Sequence, residues 1–365
     1  MNSTDLDEIG ALVGDATAVG IGESLHAGAE FYQFRHATFQ YLVEAHGFRA
    51  FALESGFPEG LLVDAWIKGE SDLDLDEVLR RGFTYNMGCC EEFAAQLEWM
   101  RDWNASHPDD LVHYFGADVP GWAENADSAF AVVEEFLTKV DPDAPVRGSS
   151  DAQELADWLA LREPDYGHRS SPIAAAIARR AAETGAALAR LVANVEKYGH
   201  QSPLVGAVRD LTMAQTVVWL TRVLGTRVAF AAHNAHLQRV APWGGDLAQS
   251  AGGYLAHMLG DGYRPIATTM GLAEGFGPSA DIGEDVAALG VENAGYGPAE
   301  PGTVDYAMSI SGARVLDLRK EKIDGDRMRV QSYSIRVDAP ACFDGLVHFD
   351  RVTHMHPRSL GRGGE

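Results

Sequence analysis

Ile21-Gly22-Glu23-Ser24-Leu25-His26 and Ala50-Phe51-Ala52-Leu53-Glu54 share one form: an apolar, β-prone run that ends on a residue able to carry a proton. A third stretch, Phe230-Ala231-Ala232-His233-Asn234-Ala235-His236, repeats it about two hundred residues further on. In a parallel α/β sheet, ligands bind beyond the carboxyl ends of the strands. Three runs that each close on Glu or His therefore predict an α/β fold with acid–base groups gathered at one edge of its sheet. Packing alone does not account for such endings.

Outward from these runs, the first 120 residues alternate strand and helix patterns. Thr17 to Gly22 reads as a buried strand, and Phe31 to His46 carries apolar residues at helical spacing. That helix stops at Gly47, a residue suited to a helix C-terminus. Phe48 to Leu53 is the next strand, and Pro58 opens another helix near its first turn. Glu91 to Asn104 is amphipathic, and the strand Leu111 to Gly116 follows, with Asp118 just past its end. Strands and helices alternating at this length imply right-handed βαβ units.

The middle of the chain is different. Asp151 to Leu161, Pro172 to Tyr198 and Pro203 to Leu224 are rich in Ala or Leu, and the segments around Pro142 and Gly148 read as linkers. Residues 125–224 are read as a helical insertion, a cap of the same domain, between core segments 1–124 and 225–365. Short β-prone runs then resume at Arg227 to Ala232, Arg264 to Met270, Val304 to Ile310, Arg314 to Leu318 and Leu346 to Val352. Gly271 to Gly277 and Gly290 to Gly302 read as loops over the site. They are not phosphate cradles, because no G-x-x-x-x-G-K-[ST] exists and no G-x-G-x-x-G follows the first strand. The expected architecture is three-layer α/β/α, with a mainly parallel sheet and the helical insertion over a cleft.

Bulk properties narrow the partners. The 365 residues carry 29 basic and 53 acidic side chains, a net charge of −24, which argues against nucleic acid or an anionic membrane. A small-molecule substrate is expected. The start of the chain has neither a basic nor an apolar segment of the secretory kind, and no apolar run approaches eighteen residues. Cys89, Cys90 and Cys342 show no C-x-x-C spacing, so a reducing, cytoplasmic setting without structural zinc is expected.

Glu23, Glu54, Asp118, His233 and His236 all fall at or just past strand ends, and His26 lies three residues beyond Glu23. A carboxylate so close to an imidazole can orient the ring and fix its tautomer. Each has a plainer alternative, Glu54 and Asp118 as caps of the following helices and Arg35 as a surface or ion-pair residue; the joint pattern favours a proton-transfer site. Other chemistries have weaker support. His233-x-x-His236 with two glutamates has the residue types for zinc or iron, but the pair follows a strand and no H-E-x-x-H occurs. There is no G-x-S-x-G for a serine nucleophile. Cys89 and Cys90 are better read as packing residues than as nucleophiles. No metal and no cofactor are expected.

Together, Gly22 to His26, Arg35, His46 to Glu54, Trp99-Met100-Arg101, Ala232 to His236 and Phe343 to Val347 resemble the erythromycin esterase family. The resemblance implies metal-independent hydrolysis of a macrolide lactone or another ester, with a histidine as general base on water. His26 would be that base, Glu23 and Glu54 its orienting or acid partners, and Arg35 would position the charged groups. His233 and His236 would sit on the opposite wall, polarising the scissile carbonyl or protonating the leaving alkoxide. Tyr85 to Cys90 departs from the family's usual pattern, which makes Tyr85 and Asn86 candidates for the substrate-binding wall. Asp118, His236 and Met270 complete that expected wall. The same base would also serve elimination, cyclisation or transacylation in secondary-metabolite biosynthesis, and a non-catalytic ligand or metal binder is the third class.

Overall fold

In a computed structural model, residues 2–85, 87–121, 124–200, 202–240, 249–277 and 292–359 are described. The order is α1 (Ser3–Val13), β1 (Ala18–Glu23), α2 (Ala29–His46), β2 (Phe48–Gly56), α3 (Phe57–Ile67), α4 (Leu75–Arg81), α5 (Glu91–Ser106) and β3 (His113–Asp118). Four helices follow: α6 (Asp127–Val140), α7 (Ala152–Arg169), α8 (Pro172–Tyr198) and α9 (Pro203–Val223). The chain then forms β4 (Arg227–His233), α10 (Asn234–Leu237), α11 (Ala251–Leu259), β5 (Tyr263–Glu274), β6 (Glu292–Asn293) and α12 (Val304–Ser311). Strands β7 (Val315–Asp317), β8 (Arg327–Val330), β9 (Tyr333–Arg336) and β10 (Gly345–Thr353) close it.

Seven strands form one sheet in the order β3-β2-β4-β1-β5-β10-β7. Every neighbouring pair is parallel except β10 with β7. A second sheet, β6-β9-β8, is antiparallel. Helices cover both faces of the large sheet, the expected three-layer α/β arrangement. Along β2 the side chains alternate: Ala50 and Ala52 belong to the core that includes α9 and the Ala-rich α8, while Phe51 and Leu53 belong to the core that includes α2 and α5. The small side chains on one face let α9 lie against β2, β3 and β4, and α8 packs outside it in the same continuous core. Burying each large apolar side chain contributes about 1.5–3 kcal/mol.

The boundaries follow local chemistry. Gly47 takes the left-handed conformation at φ 67 and ends α2. Ser171-Pro172 and Ser202-Pro203 open α8 and α9: each serine accepts a backbone N–H of the first turn, and each proline sits where no N–H partner is needed. One expectation fails. Val304 to Ile310, read as a β-prone run, is helical, because Thr303 caps its start through the Tyr306 N–H and Gly312 ends it at φ 71. Caps outweigh the β-branched residues between them. The first Gly-rich stretch is largely strand, since β5 runs to Glu274; Gly290 lies outside the described residues. Among the described residues no helix is long and apolar enough to cross a membrane.

Candidate active site

The ends of β1, β2, β3 and β4 lie side by side. Glu23 is in register with His233, and Gly56 with Asp118. Gly22 allows a close approach between neighbouring elements. A side chain there would meet the Asn234 Oδ1 at 2.1 Å and the Ile266 carbonyl at 2.9 Å. Asn234 uses both ends of its amide on Thr268, donating to its carbonyl at 2.8 Å and accepting from its N–H at 3.2 Å. The residue between the two histidines thus stitches β4 to β5 across β1.

His26 stands beyond β1 with its side chain about half exposed (46%). Its Nδ1 is 2.5 Å from the Glu23 carboxylate, and no group among the described residues bonds its Nε2. Partial burial pulls its pKa down, but the bond to Glu23 and the charges of Glu23 and Glu54 outweigh this and raise it above the ordinary value. Behind Glu23, the Arg35 guanidinium is buried between the rings of Tyr32 and Phe93, 4.3 Å from each centroid. It lies 3.8 Å from the Glu23 carboxylate, so Arg35 holds the carboxylate from beneath.

Glu54 is the hub of the second half. One oxygen accepts the His233 backbone N–H at 3.0 Å; the other lies 3.1 Å from His236 Nε2 and 3.2 Å from Arg209 Nη2. Burial would raise this carboxyl, yet His236, then His26 and Arg209, hold it well below the usual range. His236 also bonds Asp210 through Nδ1 at 2.7 Å. Burial opposes its charge, but two carboxylates keep its pKa well above the ordinary histidine value. Arg209 completes the network on Asp118, which is 1% exposed.

His233 is set differently. Its Nδ1 accepts from the Ala235 N–H at 3.2 Å, which places the proton on Nε2, and that proton goes to the Ser24 carbonyl at 3.2 Å. Burial and the neighbouring His26, with ring centroids 5.0 Å apart, push its pKa down to about 3. Both ring nitrogens are thus engaged within the protein, which fixes the neutral ring in one tautomer with its Nε2 proton on the Ser24 carbonyl.

The structure therefore brings together Glu23, His26, Arg35, Glu54, Asp118, His233 and His236. Tyr85 is at the rim, 40% exposed, with the Arg209 guanidinium 5.8 Å from its ring centroid. Asn86 lies outside the described residues. Met270, expected on the substrate wall, is instead fully buried in the core, its N–H donated to Asp305 at 3.1 Å. Sequence reading missed Arg209 and Asp210. Their signal was two adjacent charges in an otherwise apolar stretch of α9. Among the described residues, no group of three or more His, Cys, Asp or Glu is arranged to hold a metal ion.

Known proteins resemble this chain in sequence and in fold. The type II erythromycin esterase of Escherichia coli is 28% identical over 39% of this chain, a match spanning about a third (33%) of that protein. The E. coli type I enzyme is 23% identical over 95% of the chain and 93% of its own length. Among solved structures, a Bacillus cereus protein shares the fold with a TM-score of 0.76 at 18% identity, over 99% of this chain and 94% of that one. An erythromycin esterase mutant in its open conformation matches with a TM-score of 0.73 at 20% identity, over 97% and 95% of the two chains. The model of the family described as erythromycin esterase matches residues 43–352. This chain belongs to the erythromycin esterase family, a membership that supports an esterase-like hydrolase.

Proposed function

We propose that this protein hydrolyses a lactone or other ester of a macrolide-like natural product, with His26 as the general base on water. The observation that carries the reading is the state of the His26 ring. Glu23 takes the Nδ1 proton, so Nε2 presents its lone pair on the half-exposed side of the residue. A carboxylate-oriented imidazole of this kind removes a proton from water as the oxygen attacks a carbonyl carbon. The Glu23 carboxylate then stabilises the imidazolium, and Arg35 keeps that carboxylate in place.

The His236 imidazolium and Arg209 supply fixed positive charge for the oxygen that turns negative in the tetrahedral intermediate. Among the described residues Arg209 commits Nε and Nη2 to Asp118 and Glu54, which leaves Nη1 for a substrate oxygen. The imidazolium at His26 returns its proton to the departing alkoxide.

Turnover of erythromycin A and of p-nitrophenyl acetate in ¹⁸O-water tests the reading. One ¹⁸O atom is expected in the new carboxylate. Turnover that leaves the product unlabelled would replace hydrolysis with an elimination or cyclisation by the same base. No turnover of any ester or lactone in a broad panel would overturn the reading.

A further inference from the structure

Among the described residues, three that are not glycine adopt a positive φ: Ala27 (61), Tyr85 (58) and Gln331 (59). Ala27 follows His26, and Tyr85 lies against Arg209. Gln331 is 305 residues away in sequence from His26, at the tip of the β8–β9 hairpin, yet it too ends at the site. Left-handed backbone in residues with a Cβ is unfavourable and clusters where function requires it. The turn joins Val330 to Tyr333 through Gln331 and Ser332, and glycine or asparagine would suit its first position better than glutamine. Local turn chemistry does not explain this side chain.

Its contacts do. The Gln331 N–H donates to the Ser24 carbonyl at 2.7 Å, and its Oε1 accepts the His26 N–H at 3.1 Å. One residue thus grips both ends of the Ser24-Leu25-His26 turn. The Ser24 carbonyl is the acceptor that His233 also uses. The grip is anchored from behind. The buried Asp305 carboxylate takes the Met270 N–H of β5 at 3.1 Å and the Arg329 N–H of β8 at 2.8 Å, tying the hairpin to the large sheet. The Ser332 carbonyl accepts the N–H groups of Ala294 and Gly295 at 2.8 and 2.9 Å.

We infer that Gln331 is a positioning residue for His26, and that the β8–β9 hairpin braces the loop that carries the general base. The inference rests on the reading of His26 as that base. Gln331 touches no reacting atom; it sets the ring's place relative to Glu23, and a displacement of about 1 Å in such a group costs up to about 10²-fold in rate.

The test pairs Gln331→Ala with Gln331→Glu, followed by ester hydrolysis and by NMR titration of the His26 ring. Alanine keeps a Cβ but removes the acceptor. It is expected to lower kcat about tenfold with KM within about twofold, and to move the His26 midpoint down toward its ordinary value as the hold on Glu23 slackens. Glutamate keeps an acceptor oxygen and adds a charge, so kcat is expected to return most of the way while the midpoint rises. An unmoved His26 midpoint in Gln331→Ala, whatever the rate, overturns the inference. So does Gln331→Glu behaving like the alanine variant. The titration needs no turnover, so a wild-type protein that cleaves no ester would defeat the proposed function and leave this measurement decisive.

Discussion

Glu23–His26 and Glu54–His236 are the same two residue types at the ends of nearby strands, and they are held in opposite ways. Among the described residues, His26 has one carboxylate partner and one open nitrogen. His236 has a carboxylate on each nitrogen, and its Glu54 is shared with Arg209 and with the His233 backbone. The first pair can gain and lose a proton as it works. The second is an ion pair that both carboxylates hold in its charged form. His233, with both nitrogens engaged and its pKa near 3, is a third state: permanently neutral. What separates three neighbouring histidines is the number and kind of partners on each nitrogen, and the proposed roles of base and fixed cation follow from that difference.

The largest effect is expected from His26→Ala. It should cost on the order of 10²–10⁴ in kcat while thermal unfolding stays within a few degrees of wild type, because the side chain is half exposed and buries little. Steady-state kinetics beside a melting curve reads both. A variant with wild-type rate would remove the distinction between the pairs.

Glu54→Gln should behave otherwise. It leaves His236 and Arg209 without their shared anion, so stability is expected to fall by about 3 kcal/mol together with activity. Urea unfolding measures it, and equal stability would show that the network is not held by Glu54.

Changing the pH sharpens the contrast next. The base must be neutral to act, so activity should rise with pH through a midpoint above 6.5, the ordinary histidine value, since the His26 pKa is raised. Stability should run the other way. A raised histidine binds its proton more tightly in the folded state, so the contribution of His236 is whole below about 6.5 and is lost as pH climbs through its folded value. The depressed Glu54 contributes fully above about 4.5, its unfolded value, and is lost as pH falls through its folded value. Unfolding free energy is therefore expected to be greatest between these limits. A His236→Gln variant should lose much of the alkaline slope, which is at most about 1.4 kcal/mol per pH unit for one proton. An unchanged slope would assign it to other groups.

The smallest effect is an absence of change. The His233 ring should show no titration by NMR between pH 5 and 9, and a midpoint in that range would contradict the tautomer its partners impose.

These contrasts also explain what the sequence could reveal. Runs such as Phe48–Leu53 are legible because an apolar strand pattern is local, and Glu23, Glu54 and His233 stand out as polar residues ending such runs. The partners that divide the roles are not local. Arg209 reaches Asp118 across 91 residues and Glu54 across 155, from a helix whose pattern says only that it is helical. Gln331 sits at a turn that its residue type does not advertise. Arg35 falls on the apolar face of α2; its pairing with Glu23 was legible as an ion pair, but the rings of Tyr32 and Phe93 that flank it were not. Val304–Ser311 shows the converse failure, since its caps were legible and its β-prone interior obscured them.

Gly22 has a consequence for how this chain can vary. Any larger residue there would press on the Asn234 amide and on the Ile266 carbonyl at once, and the second is backbone that cannot change its rotamer. Shortening Asn234 would relieve only one collision and would unfasten β4 from β5. The letter before the acidic residue is therefore frozen by a strand on its far side. An engineer reshaping the site must therefore leave the position beside Glu23 as glycine.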